Sequence, residues 1–249
     1  MVSSASRGFG DAVPPTDSPA QALDQDPRIP WTVVMRSTTP MPGNPWPHDM
    51  TMTVQDRPQA LLELLWIREA HDLRPVGDDL PSALTDPPAP AASPVDAETR
   101  ELWSEGWARI WSDVLAHSAV EHDQAMFDAV GDAEAGSVER ESLLRQLIGP
   151  TWGDEFGHEV FDDDAYREWE RRGFDSHVAT RPGMLADSPE HRDVEALAAA
   201  WRRGLTTVVT IPCRDMHVRQ VGPHTLLVTD EVRGDSVEYR KALAFFAVD

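Results

Sequence analysis

The last quarter of the chain, residues 188–248, has the clearest pattern of apolar and polar positions. Apolar residues first recur every three or four positions, as on the buried face of a helix. They then form short β-branched runs that are bounded by glycine and proline. The pattern predicts, in order, a helix over residues 188–204, strands over 205–211, 216–221 and 224–229, and a closing helix over 235–246.

The preceding three quarters of the chain alternate between strand-like runs, helices and proline-rich connections. The pattern predicts strands over residues 29–36 and 50–54, and helices over 58–68, 96–118 and 137–148. The helix over 58–68 is apolar on nearly all sides, which indicates burial in a core. Residues 72–95 are rich in proline, aspartate and alanine, which is typical of a loop or linker.

These elements predict an α+β fold. We expect a small, mostly antiparallel sheet, formed by the C-terminal hairpin and extended by a strand from the N-terminal part, packed with several helices. Residues 1–28 are rich in Ser, Ala, Pro, Gly and Asp, which predicts a disordered acidic tail. The predicted organisation is therefore a tail over 1–28 and a single α+β domain over 29–249, with a Pro-rich loop or linker near 72–95.

Three tryptophans lie four residues apart in the helix over 96–118, at Trp103, Trp107 and Trp111. Such a row can stack on sugars or flat ligands when it is exposed. Far more often it is the buried stripe by which a helix packs on its neighbours, so we predict that these residues belong to the core.

Composition narrows the classes of partner. The chain has 249 residues and a formal net charge of −21, which argues against DNA, RNA and anionic membrane surfaces because their phosphates would be repelled. A protein partner, and in particular a basic one, is compatible with this charge. Only one of the 22 basic residues is a lysine, which is a feature of the coding sequence rather than of an activity.

The single cysteine excludes an intramolecular disulfide and a multi-cysteine zinc site. No apolar segment approaches the roughly 18 residues that are needed to cross a membrane. The first residues lack the apolar region of a signal peptide. We therefore predict a cytoplasmic protein, and no motif predicts a cofactor.

The acidic segment over residues 154–164 is one candidate for chemistry. His158, Glu159 and Asp162 supply nitrogen and oxygen ligands that suit Mg, Mn or Zn. The spacing matches neither an HExxH zinc helix nor an EF-hand loop. The alternative is that Asp162 or Asp163 caps the following helix and that the other carboxylates are solvated.

A second candidate lies in the predicted C-terminal hairpin. Cys213 and His217 are four residues apart and would face the same side of a regular strand. The turn that follows could return His224 close to His217, which would give a Cys–His nucleophile or a metal site. The alternative is a small core cysteine and two solvent-facing histidines.

No nucleophile elbow, Walker A loop, Rossmann fingerprint or kinase signature occurs. The leading hypothesis is a non-enzymatic protein-interaction module. It predicts an exposed apolar patch on the folded chain.

The alternative is an enzyme or small-ligand binder, metal-dependent or not, with a pocket between the C-terminal sheet and the Trp-rich helices. It predicts that polar groups converge in a cleft with aromatic or apolar walls.

Overall fold

The computed structural model describes residues 31–36, 45–121, 124–180 and 187–247. The tail predicted over residues 1–28 lies outside the described residues. The strands are β1 (Trp31–Arg36), β2 (Thr51–Arg57), β3 (Thr207–Ile211), β4 (Val218–Val221) and β5 (Thr225–Thr229). The α-helices are α1 (Gln59–Ala70), α2 (Ala97–Ser118), α3 (Gln124–Asp132), α4 (Val138–Ile148), α5 (Gly153–Phe156), α6 (Asp164–Thr180), α7 (Pro189–Arg192), α8 (Val194–Trp201), α9 (Asp230–Gly234) and α10 (Ser236–Phe245). A 3₁₀ turn spans Glu159–Asp162.

The five strands form one sheet in the order β1-β2-β3-β5-β4. The α+β class is confirmed, and the N-terminal strands do join the C-terminal ones. The sheet is mixed rather than mostly antiparallel, however. The β1–β2 and β4–β5 pairs are antiparallel, whereas β2–β3 and β3–β5 are parallel.

Burial explains why the sheet is mixed. Every residue of β3 and of β5 is buried, whereas three of the four residues of β4 are partly exposed. Strands that are apolar along their whole length are stabilised by covering both faces, which favours the centre of a sheet. β5 therefore lies between β3 and β4, parallel to β3, and the more polar β4 takes the edge.

Helices cover both faces of the sheet. On one face, Val209, Ile211 and Leu227 pack with the buried residues of α1 and α2. On the other face, the residues next to these in the same strands, Val208, Leu226 and Val228, pack with α8 and α10. Successive strand residues point to opposite faces, so each buried strand contributes to both cores.

The tryptophan stripe belongs to the core, as predicted. Trp107 and Trp111 are fully buried and stack with their ring centroids 5.2 Å apart. The indole N–H of Trp107 donates to the carbonyl oxygen of Leu64 at 2.6 Å, which ties α2 to α1. Trp103 is partly buried and meets the ring of Trp152 edge-on.

The connection over residues 72–95 contains no helix or strand beyond an isolated bridge between Leu84 and Cys213. It is nevertheless anchored to the fold. Leu84 is fully buried, and the guanidinium of Arg68 donates to the carbonyl oxygens of Pro81 and Ser82. The proposal that residues 29–249 form a single domain stays a prediction.

The helices around the C-terminal strands are held by a buried ion pair. Glu190 in α7 has no exposed surface, and its carboxylate accepts two hydrogen bonds from the guanidinium of Arg233, at 2.7 and 3.0 Å. Arg233 also pairs with Asp56 at the end of β2, at 2.9 Å. The hydroxyl of Tyr239 donates to the same carboxylate of Glu190 at 3.3 Å. This network joins α7, α9, α10 and the sheet.

Within the described residues, none of the helices combines the length and the apolar character that crossing a membrane requires.

Candidate ligand-binding cleft

A cavity of about 530 Å³ opens between the sheet and the helices on the side of β1 and β2. We call it the cleft. Its floor is formed by β1, β2 and the start of β3, and its walls by α1, the end of α2, α3 and the end of α4. It therefore lies between the sheet and the Trp-rich helical layer.

The floor of the cleft is polar because β2 alternates. Met52 and Val54 are buried in the core on one face of the sheet. Thr51, Thr53 and Gln55 point to the other face and line the cleft. The strand therefore presents two hydroxyls and an amide to whatever occupies the space.

One wall carries a partly buried carboxylate, Glu63 of α1. The side-chain amide nitrogen of Gln59 lies within hydrogen-bond distance of three oxygens: Glu63 Oε1 at 3.3 Å, the hydroxyl of Tyr166 at 2.7 Å and Glu170 Oε1 at 3.0 Å. Burial raises the pKa of Glu63 to about 7, the negative charge of Glu170 acts in the same direction, and the bond from Gln59 opposes it. Glu63 therefore exchanges a proton near neutral pH. Burial also raises the pKa of Tyr166, which stays protonated.

Two histidines complete the opposite wall. His117, at the end of α2, lies with Nε2 3.0 Å from the carbonyl oxygen of Leu147, and its ring covers Gly149. The ring of His158 covers Gly153 in the same way. A side chain at either glycine would collide with the imidazole. Each ring can therefore occupy its position only because the residue beneath it is glycine.

The remaining walls are apolar, and the described part of the lining has no Lys or Arg. Val34, Val114, Phe127, Leu147 and Ile148 are the larger apolar groups. Among the described residues that line the cleft there is no Lys or Arg, whereas Glu63 and Glu121 contribute carboxylates. The local charge therefore favours a neutral or positively charged occupant over an anion.

The residues predicted as metal ligands do not converge. His158 lies on the cleft, whereas Glu159 and Asp162 are exposed and do not line it. Asp162 pairs with Arg167 at 3.5 Å. In the part of the chain that the structure describes, no group of three His, Cys, Asp or Glu side chains could hold a metal ion. Asp163 is the helix cap, since its carboxylate accepts from the N–H of Ala165 at 2.7 Å.

Cys213, His217 and His224 lie outside the cleft lining. Cys213 is buried at the end of β3, and burial raises the pKa of its thiol to about 12. Burial lowers the pKa of His217, with Arg219 adding to the effect, so His217 is neutral at physiological pH. The N–H of Thr229 donates to the carbonyl oxygen of His217, which places His217 beside the carboxyl end of β5.

His224 lies at the opposite end of β5, in the turn after β4. Its Nδ1 is 2.9 Å from the carbonyl oxygen of Gly204, just before β3. The whole of β5 therefore separates His224 from His217, about 15 Å at the rise of a strand. The turn does not bring these two residues together.

The sequence-based interpretation missed Glu63, Gln59 and His117. One signal was available for Glu63, because it is the only charged residue in the apolar run over residues 60–67. A lone carboxylate in a helix that is apolar on nearly all sides has to reach solvent, a partner or a cavity. Gln59 and His117 carry no comparable signal.

A second concave surface, which we call the C-terminal groove, lies between β4 and α10. It has a volume of about 290 Å³ and is lined by Met216, Val218, Val232, Ala242 and Phe245, with Glu238 and Lys241 at its rim. Phe245 is 62% exposed and Met216 is 49% exposed. The groove is therefore a small concave surface with exposed apolar side chains.

Comparison of the chain with protein-family models, with curated proteins and with solved structures finds no match. Functional inference therefore depends on the geometry of the two surfaces.

Proposed function

We propose that the protein binds a small organic molecule in the cleft. The observation that carries this proposal is the cleft itself, whose volume of about 530 Å³ lies in the range of roughly 300–1,000 Å³ that is typical of ligand sites. Apolar walls would bury the body of the ligand, and the polar groups of β2 and α1 would orient it. This favours the ligand-binder hypothesis over the interaction module. We place this activity in the cytoplasm, on the sequence argument alone.

The proposal is tested by filling the cleft. Thr53 lies on the floor, where it pairs with Val34 of β1 and Thr207 of β3, so Thr53→Trp would project an indole into the space while remaining compatible with a strand. Thr85→Trp makes the same change on the exposed connection, away from the cleft. A library of neutral, cationic and anionic fragments is screened by thermal shift, and hits are verified by calorimetry.

We expect fragments that raise the melting temperature of the wild type and of Thr85→Trp but not of Thr53→Trp. The proposal fails if no fragment binds the wild type, or if the hits stabilise all three proteins equally.

A second candidate function, binding of another protein, is favoured by the C-terminal groove. Because the chain is strongly acidic, we propose an amphipathic, basic partner segment that would place apolar side chains in the groove.

This second candidate is tested by changing the groove. Phe245→Glu would place a charge in the groove. Leu102→Glu makes a similar change at an exposed leucine of α2, far from the groove in the chain. Isolation from native extract should give a stoichiometric partner with the wild type and Leu102→Glu but not with Phe245→Glu. The same pattern with all three proteins would exclude this candidate.

A further inference from the structure

We propose that the natural ligand of the cleft is an amine with an apolar body, and that its ammonium group contacts the carboxylate of Glu63. This inference rests on the proposed function, since it names the chemical class of the molecule that the cleft would take.

The first argument is that Glu63 is incompletely hydrogen-bonded. Its one side-chain partner among the described residues is the amide of Gln59, which is within hydrogen-bond distance of three acceptors. This amide reaches only one carboxylate oxygen, Oε1, at 3.3 Å. The other oxygen, Oε2, accepts no hydrogen bond from the described residues.

No cation among the described residues neutralises Glu63. Among the described residues it forms no ion pair. On its own helix, Arg68 is bound to Glu69 and to carbonyl oxygens of the 72–95 connection. The arginines of the adjacent α6 pair with other carboxylates: Arg167 with Asp164, Arg171 with Glu168, and Arg172 with Asp86.

The remaining titratable groups around the cleft do not change this balance. From α6, Glu170 adds negative charge and Tyr166 stays neutral. The guanidinium of Arg57, at the end of β2, interacts with Asp230, Glu170 and Tyr166. From the opposite wall come His117 and His158, and from the rim Glu121, whose carboxylate accepts from the hydroxyl of Thr206. The group that the cleft lacks is a cation beside Glu63.

An amine with an apolar body matches the hydrogen-bonding groups and the walls of the cleft. An alkylammonium has three N–H donors and no acceptor, so it supplies what Glu63 and the floor hydroxyls of Thr51 and Thr53 can accept. The apolar walls of Val114, Leu147 and Phe127 would cover its hydrocarbon part. An anionic ligand would meet Glu63 with no Lys or Arg in the described lining to offset it.

The proposal fixes the direction of the pH dependence. Only the ionised form of Glu63 attracts an ammonium group, and the amine itself stays protonated well above neutrality. Binding should therefore strengthen as the pH rises through about 7 and weaken below it. Binding near neutral pH should also release protons from Glu63.

The test uses three probes with one skeleton: 2-phenylethylamine, 2-phenylethanol and 3-phenylpropionate. Their affinities are measured by calorimetry with the full-length wild type, Glu63→Gln and Glu105→Gln, the same change at an exposed position outside the cleft. We expect the amine to bind the wild type at least about tenfold more tightly than the alcohol at about pH 8. We expect its affinity to fall at least about tenfold at about pH 5.5, where Glu63 is mostly protonated.

The variants locate the effect. Glu63→Gln should bind the amine and the alcohol alike, and Glu105→Gln should keep the preference for the amine. Equal binding of amine and alcohol to the wild type, or tighter binding of the carboxylate, would overturn the amine proposal and leave the ligand-binding function standing. If no probe and no library fragment binds, the function itself falls. The pH comparison on the wild type needs no variant, so the test holds even if Glu63→Gln does not fold.

Discussion

The burial of the Glu63 carboxylate makes the stability of the fold depend on pH. Its ordinary pKa of 4.5 is raised to about 7 in the folded chain, chiefly by burial. Between these two values the folded state keeps a proton that the unfolded state has released. Folding is therefore opposed increasingly as the pH rises through this window, and the full cost is present above about pH 7.

We predict that Glu63→Gln is more stable than the wild type at about pH 8, by roughly 1–3 kcal/mol, and equally stable at about pH 4.5. Urea unfolding at the two pH values measures the difference. Glu105→Gln, the same change at an exposed position of α2, should give no such pH dependence. A wild type that is as stable as Glu63→Gln at both pH values would mean that the pKa of Glu63 is not raised.

Trp107 is a buried residue that joins α2 to α1. Its indole stacks on Trp111, donates to the backbone of α1 and lies 5.4 Å from the guanidinium of Arg68. Trp107→Ala should lower the free energy of unfolding by about 3–5 kcal/mol, because it leaves a cavity and removes the hydrogen bond from the indole to Leu64. Leu102→Ala, at a leucine that is 56% exposed on the same helix, should change it by less than about 0.5 kcal/mol. Denaturant unfolding checks both, and similar losses in the two variants would contradict the core role.

At the scale of elements, the cleft depends on how two helices end. α4 ends at Gly149, whose φ of 76° lies in the left-handed region, and the ring of His117 from the last turn of α2 covers it. The ends of α2 and α4 thus pack closely, because the imidazole of His117 fills the space that a side chain at residue 149 would occupy. This contact holds the two helix ends that form one wall of the cleft.

A matched pair of glycines separates packing from backbone strain at this junction. Gly136 has a φ of 80° with open space around it, whereas Gly149 has nearly the same φ beneath His117. Gly136→Ala should cost about 1 kcal/mol, and Gly149→Ala about 1–3 kcal/mol more because the imidazole must move. Urea unfolding measures the two losses, and the side-chain NMR resonances of His117 should shift only in Gly149→Ala. Equal losses and an unshifted His117 would show that the contact is unimportant.

The elements with local signals were predictable from the sequence. The β-branched run before Pro212 formed β3, and Asp235 caps α10 through the N–H groups of Val237 and Glu238. The helix predicted over 188–204 is interrupted at Asp193, because its buried carboxylate accepts hydrogen bonds from Ser236 and Arg192. The short helices α3, α5 and α9 were missed. α5 and α9 have four and five residues, too few to establish a periodicity, whereas the nine residues of α3 are amphipathic and were overlooked.

The sequence predicted a pocket between the C-terminal sheet and the Trp-rich helices, whereas the floor of the cleft is formed by the N-terminal strands β1 and β2 with only the start of β3. Its residues come from segments far apart in the chain, such as Thr53, His117 and Thr206. Which segments become neighbours depends on the sheet order, and no local pattern specifies that β2 pairs with β3. Cys213, His217 and His224, by contrast, are close in sequence, but the strands between them carry His224 to the other end of the sheet.

At the scale of the whole molecule, the net charge of −21 opposes compaction. We predict that raising NaCl from about 0.1 to about 1 M, which shortens the screening length from about 10 to about 3 Å, raises the melting temperature at pH 7 by roughly 3–6 °C. Near the isoelectric point of about 4.6 the same salt should have little effect. Equal shifts at the two pH values would indicate a general salting effect rather than relief of repulsion.

The pairing of β2 with β3 also determines when the sheet can be completed during synthesis of the chain. Roughly 150 residues separate the two strands in the chain, yet they hydrogen-bond directly, with the N–H of Thr53 donating to the carbonyl oxygen of Thr206 at 2.8 Å. A ribosome that adds about 5–20 residues per second needs about 8–30 s to make the segment between them. During that interval the β1–β2 hairpin and α1 have left the ribosome without the strand that completes their sheet. Every nascent chain therefore spends many seconds before the buried residues Met52 and Val54 of β2 are covered by α8 and α10, an interval in which chaperones can engage it.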